Sequence, residues 1–168
     1  MSGLAVNVQP IGDRMKTLNP AYLKAITKTV SRSPYFRLLS MEMKPVVLGE
    51  SRLEVVIEEK HLQPFGMVHG GVYSSLVDAA GFWSVYPLLE EGVGLTTVEL
   101  KLNYLAPASK GYLIAKGKNI KVGKTLCLGK ASIEDENGRL LAYGTETMMI
   151  VNNLKIKSDI TLPKKFLD

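Results

Sequence analysis

Residues 70–89 carry one charged side chain, Asp78, in an otherwise uncharged run. Val72, Leu76, Ala79/Ala80 and Trp83 recur at helical spacing and form one stripe. Tyr73, Val77 and Phe82 place apolar groups on the other faces. A helix that is apolar nearly all round has to be covered on most sides. Its serines and glycines, together with Asp78 and Pro87, mark it as a buried helix of a globular domain rather than a membrane span. The rest of the chain must therefore supply the cover.

That cover reads as strands. Before the helix, residues 41–48 and 52–58 are strand-like, with Leu53, Val55 and Ile57 on one face. Four more strand-like runs follow it, at residues 95–104, 112–122, 125–134 and 140–151. The first of these alternates, with Val98, Leu100, Leu102 and Tyr104 on one face. Asn137-Gly138 is a hairpin turn signal. Strands joined by short turns imply an antiparallel sheet, so the expected fold is α+β, an antiparallel sheet wrapped around a long central helix. Near the N-terminus, Asn19-Pro20 reads as an N-cap and first helical residue, followed by Tyr22, Leu23, Ile26 and Val30 at helical spacing. With 168 residues, 46% of them hydrophobic, the chain suits one domain. The division expected is a flexible arm at 1–18, the domain at 19–151 and a weakly ordered C-terminal tail at 152–168.

The formal net charge of +5 suits an anionic ligand without choosing one. The basic residues are scattered, and residues 1–35 lack a helix-turn-helix, so no nucleic-acid partner is expected. Neither is a membrane partner. The N-terminus has no basic region ahead of its apolar residues and is not read as a secretory signal. A single cysteine, Cys127, allows no internal disulfide and fits the cytoplasm. It reads as a small apolar residue within a strand. His61 reads as a surface or loop residue, and two histidines with one cysteine offer no metal set.

Chemistry concentrates between His61 and Asp78. Gly70 and Gly71 stand where an irregular segment becomes a helix, where backbone N–H groups lack intrahelical partners. Glycine lets a ligand come close to that backbone, and the helix dipole adds partial positive charge. A carbonyl oxygen gaining negative charge is stabilised at such a place. Asp78, a lone carboxylate on an apolar helix, must be paired, exposed or functional. His69 and Asp78 are nine residues apart, so they point to opposite sides of one helix and stand about 13 Å apart along its axis. If both serve one site, two chains build it.

Gln63-Pro-Phe-Gly-x-x-His69-Gly-Gly, with an acid nine residues after the histidine, resembles the hotdog acyl-CoA thioesterases of the phenylacetyl-CoA and hydroxybenzoyl-CoA type. The likeness spans residues 36–151 and includes the Leu-Asn-Tyr-Leu-Ala-Pro-Ala segment and the Val-Gly-Lys-Thr turn. It implies the hotdog fold and hydrolysis of an acyl- or aryl-CoA thioester, with CoA as part of the substrate and no cofactor. The implied roles fall on named residues. Gly70 donates its N–H to the thioester carbonyl, with Gly71 beside it. Asp78 of a partner subunit acts as general base or nucleophile. Gln63 places substrate or water, and His69 fixes the loop. Thr96 or, preferably, Thr97 hydrogen-bonds the attacking water. Lys121 and Lys124, with Lys116, Lys118 and Arg139, are candidates for the CoA phosphates. Phe65, Met67, Trp83 and Tyr86 are candidates for an acyl pocket. The expected assembly is a homodimer as the minimum active unit, within a homotetramer. The alternative function is a non-catalytic hotdog module that binds acyl-CoA.

Overall fold

The computed structural model describes residues 17–167. Most of the expected N-terminal arm, residues 1–16, lies outside them. Helix α1 (Pro20–Ser31) starts as the sequence indicates: Asn19 Oδ1 accepts the Ala21 N–H at 2.9 Å, and Pro20 takes the first turn. It buries Tyr22, Ile26 and Val30. A short helix α2 (Pro34–Leu38) buries Phe36.

Six strands form one antiparallel sheet in the order β1-β2-β4-β5-β6-β3. They are β1 (Glu42–Met43), β2 (Glu50–Val56), β3 (Val93–Tyr104), β4 (Tyr112–Val122), β5 (Leu126–Glu134) and β6 (Leu140–Asn152). The first strand is far shorter than residues 41–48. Pro45 has no N–H to give to a ladder, and only an isolated bridge from Val47 to Glu50 follows it. Residues 57–58 likewise fall outside β2.

Helix α3 (Gly70–Val85) is the buried centre. Ten of its residues are buried, and it packs against β2, β3, β4, β5 and β6. The approach is close because the sheet carries glycine beneath it. A Cβ on Gly117 would fall 2.0 Å from the Ala80 carbonyl oxygen. Ser51 Oγ donates to that same carbonyl, tying β2 to the helix. No helix among the described residues is long and apolar enough to cross a membrane.

Strand β3 departs from simple alternation. A bulge between Thr97 and Glu99 leaves Val98 without a register partner and 54% exposed. One extra residue reverses the side-chain parity. Thr97 therefore shares the inner face with Leu100 and Leu102, which pack on the core, while Val98 leaves it. The C-terminal segment returns to the body. Leu18 bridges Phe166, and the Asn19 N–H donates to the Lys165 carbonyl at 2.9 Å.

Candidate active site

The segment before α3 is a tight turn built on Gln63. The Gln63 N–H donates to the Met67 carbonyl, the Gly66 N–H donates back to the Gln63 carbonyl, and Leu62 bridges Val68. Gly66 takes φ +77°, the left-handed region that favours glycine. Gln63 Oε1 accepts the Phe65 N–H at 2.6 Å. His69 is the N-cap of α3, its Nδ1 accepting the Gly71 N–H at 2.9 Å. An accepting Nδ1 leaves the ring proton on Nε2. The Val72 N–H goes to the His69 carbonyl. Of the first turn's donors, Gly71 and Val72 are thus engaged, and the Gly70 N–H is the one left for a ligand.

Tyr104, from the end of β3, closes this corner. Its hydroxyl donates to the Gly70 carbonyl at 3.3 Å and meets Ser74 Oγ at 3.1 Å. A Cβ on Gly70 would stand 3.0 Å from the Tyr104 ring. Gln63, Met67, Gly70, Tyr73, Tyr104 and Leu105 line a pocket of about 360 Å³. Gln63, His69 and Gly70 therefore come together as the sequence led us to expect, joined by Tyr73 and Tyr104, which sequence reasoning did not single out.

Asp78 lies elsewhere. Eight residues along α3 put it about 12 Å from Gly70. It is half-buried and faces Glu146 of β6, a residue 1% exposed. Burial, the charge of Asp78 and their side-chain contact push the Glu146 carboxyl up to about 9. Neither Glu146 oxygen has a well-aligned hydrogen-bond partner. Leu100 is the register partner of Glu146 on β3, and Thr97 pairs with Met148, two residues along β6. Thr97 is half-buried on the inner face beside this carboxyl pair, whereas Thr96 is exposed. Tyr104 pairs with Ala142, about 13 Å along β6 from Glu146 at strand rise. Helix and sheet thus give the same separation between two clusters, Gln63–Gly70–Tyr104 and Asp78–Glu146–Thr97. Glu146 had one sequence signal: an acid at an inward position of an alternating strand, between Gly144 and Met148.

Other expected residues fall in different places. Phe65 is 85% exposed, Trp83 lines a groove with α1 and α2, and Tyr86 packs with Tyr22. With Met67 at the Gly70 pocket, these four do not form one acyl pocket. The apolar faces of Trp83 and Tyr86 are spent on core packing. Lys116 pairs with Glu134, Lys118 with Glu50, and Arg139 with Asp135. Lys121 and Lys124 stay exposed at the end of β4. Cys127 is buried and free, and burial pushes its thiol up. His61 is not at the surface but fully buried. Its Nδ1 accepts the Glu58 N–H at 3.0 Å, and its Nε2 lies 3.0 Å from the Leu39 carbonyl. With both ring nitrogens satisfied, burial is no penalty.

A curled antiparallel sheet around one buried central helix is the hotdog fold. The thioesterase superfamily model matches residues 65–142. An X-ray structure of a thioesterase-superfamily protein is 30% identical, with a TM-score of 0.67, covering 76% of this chain and 97% of that one. The chain belongs to the thioesterase superfamily. Curated relatives include acyl-coenzyme A thioesterase 13 of Mus musculus, 26% identical over 77% of this chain and 95% of its own length. Another is the 1,4-dihydroxy-2-naphthoyl-CoA hydrolase of Listeria monocytogenes, 27% identical over 70% of this chain and 95% of its own.

Proposed function

We propose that this chain hydrolyses acyl-CoA thioesters to a free acid and CoA. The observation that carries the reading is the Gly70 N–H, left without an intrahelical partner at the positive end of a buried helix, beside Gln63. An oxyanion formed from the thioester carbonyl is stabilised by such a donor. Asp78 supplies the carboxylate, either taking a proton from water as it attacks the acyl carbon or attacking that carbon itself. In both routes the C–S bond breaks and the electron pair leaves with the CoA sulfur. In the first, water adds directly to the acyl carbon. In the second, Asp78 is left joined to the acyl group as a mixed anhydride, which water then hydrolyses to release the acid and restore the carboxylate. Thr97 orients the attacking water. His69 holds the loop through its cap to Gly71.

Two relatives are named for CoA thioesters, one of them aromatic. The small pocket walled by Tyr73 and Tyr104 suits an aryl group, so phenylacetyl- and hydroxybenzoyl-CoA are the first substrates to try. The Gly70 and Asp78 clusters stand about 12 Å apart along α3 in one chain, which supports the reading of a homodimer as the minimum active unit, within a homotetramer. Of the five candidate cations, Lys121 and Lys124 are exposed, whereas Lys116, Lys118 and Arg139 are held in ion pairs, so Lys121 and Lys124 are the candidates kept for the CoA phosphates. A CoA substrate and a single unpaired cysteine point to the cytoplasm.

A panel of short-chain, long-chain and aryl-CoA substrates with a thiol-detecting readout tests this. Turnover is expected from the wild type, with a loss of about 10²–10⁴-fold in Asp78→Ala, the span of a lost acid–base group. No turnover across the panel would leave a module that binds acyl-CoA. Full activity in Asp78→Ala would overturn the mechanism.

A further inference from the structure

Glu146 has no role in the chemistry described above, yet its placement is costly. A carboxyl at 1% exposure that kept its charge unpaired would face a large desolvation penalty. Neither of its oxygens is satisfied by a well-aligned partner. The fold makes room for it. Gly81 lies one helical turn beyond Asp78, on the same face of α3. A Cβ there would come within 1.9 Å of Glu146 Oε1. The missing side chain at Gly81 is the slot that lets the Glu146 carboxyl lie flat against the helix, facing Asp78. A carboxyl so buried, with a second carboxyl facing it, does not ionise cheaply. The fully buried member is the one that keeps its proton.

We propose that Glu146 is a positioning residue for Asp78: in its acid form it donates its O–H to the Asp78 carboxylate from the core side. The other Asp78 oxygen is then the one presented to water or substrate. This inference rests on the reading of Asp78 as the reacting carboxylate. The surroundings of Glu146 contain no competing charge among the described residues. On α3 it meets Asp78 and Gly81. From β5 the neighbours are Gly129 and, two residues before it, Cys127, the partner of Met148, whose thiol burial pushes up. From β3 they are Leu100 and Thr97. On its own strand Gly144 and Met148 share its face. The raised Glu146 pKa, about 9, agrees with a proton held there at neutral pH. Above it, the donor is lost and a second negative charge appears behind Asp78.

The test uses the full-length protein and the CoA thioester it turns over fastest, with kcat and KM measured from pH 6 to 10.5. In the wild type, kcat should fall as pH rises through about 9. Glu146→Gln keeps a neutral N–H donor of the same size, so it should retain near-wild-type kcat at pH 7 and lose that alkaline fall. Glu146→Ala should lower kcat about tenfold with little change in KM, a smaller loss than a gross misplacement of the reacting group brings. Infrared difference spectra at pH 7 supply a readout apart from activity: a protonated carboxylic C=O band present in the wild type and absent in Glu146→Gln. An unchanged alkaline limb in Glu146→Gln, or no such band, overturns the proposal even while Asp78→Ala is inactive. Should Asp78→Ala stay fully active, the functional reading fails instead. If Glu146→Ala does not fold, the isosteric Gln variant and the spectrum still decide.

Discussion

At the scale of single residues, Gly70 and Gly71 look alike in the sequence, yet only one is available to a substrate. His69 takes the Gly71 N–H, and that capping bond holds the Gly70 N–H at the mouth of the pocket. Gly70→Pro separates the backbone donor from everything else at that position. Proline is favoured at the first helical residue, and His69 already has the extended φ and ψ that precede a proline well. The expected outcome is a folded protein with an unchanged far-UV spectrum and kcat lower by about 10²–10³-fold, the cost of one oxyanion donor. Gly70→Ala keeps the N–H, and the nearest atoms to its methyl belong to the ring and hydroxyl of Tyr104, an exposed side chain that can shift. It should lose far less. Gln63, His69 and Gly70 were legible in the sequence because a contiguous turn brings them together. Glu146 was not, because its meeting with Asp78 depends on strand register and on the slot at Gly81. His61 was misread for a related reason: its burial depends on a backbone group 22 residues away, the Leu39 carbonyl, which meets the ring nitrogen that the local Glu58 N–H leaves open.

At the scale of elements, the central helix was legible because its composition admits no exposed solution. The short β1 and the β3 bulge were less so. The bulge arises from pairing with β6, and periodicity alone placed Val98 on the wrong face. The C-terminal tail shows another long-range effect. Lys165 is 2% exposed, its Nζ donating to the Tyr86 carbonyl at 2.8 Å and lying 4.5 Å from the Tyr86 ring centroid. Burial lowers its pKa from 10.5 to about 7, partly offset by Glu90 and Glu91. The docked tail therefore binds fewer protons than the released tail between these values, and docking strengthens as pH rises from about 7 to 10.5. It is weakest below 7, where a buried charge must be carried. Protection factors for the Asn19 and Leu167 amides, which hydrogen-bond across this clasp, should rise by up to about tenfold per pH unit over that range. Lys165→Met preserves the apolar stem and should flatten the dependence. A flat profile in the wild type would mean that Lys165 keeps its charge when docked.

At the scale of the whole molecule, the two clusters point to assembly. Strand β3 is a long edge strand, with Val98, Tyr104 and the adjoining Leu105 exposed. Unpaired edges of this length invite pairing with another chain. If β3 meets its own copy antiparallel about a two-fold between Leu100 and Lys101, Thr97 of one chain comes level with Tyr104 of the other. The Asp78–Glu146–Thr97 cluster of each subunit then faces the Gln63–Gly70–Tyr104 cluster of its partner. The single-chain sequence carried only a hint of this, the nine-residue spacing from His69 to Asp78, because a site shared between chains leaves no local pattern. Complementation gives a direct measure. Asp78→Ala and Gly70→Pro each disable every site in their own homodimers. A mixed dimer contains one site with both defects and one site with neither. Unfolded together and refolded at equal concentration, random pairing makes about half the dimers mixed, each with one intact site of two, so about a quarter of wild-type activity should return. Mixing the folded proteins without exchange should return none. If refolded mixtures stay as inactive as their parents while mass analysis shows mixed dimers, each site lies within one chain, and the two clusters must be brought together by a rearrangement of α3 instead.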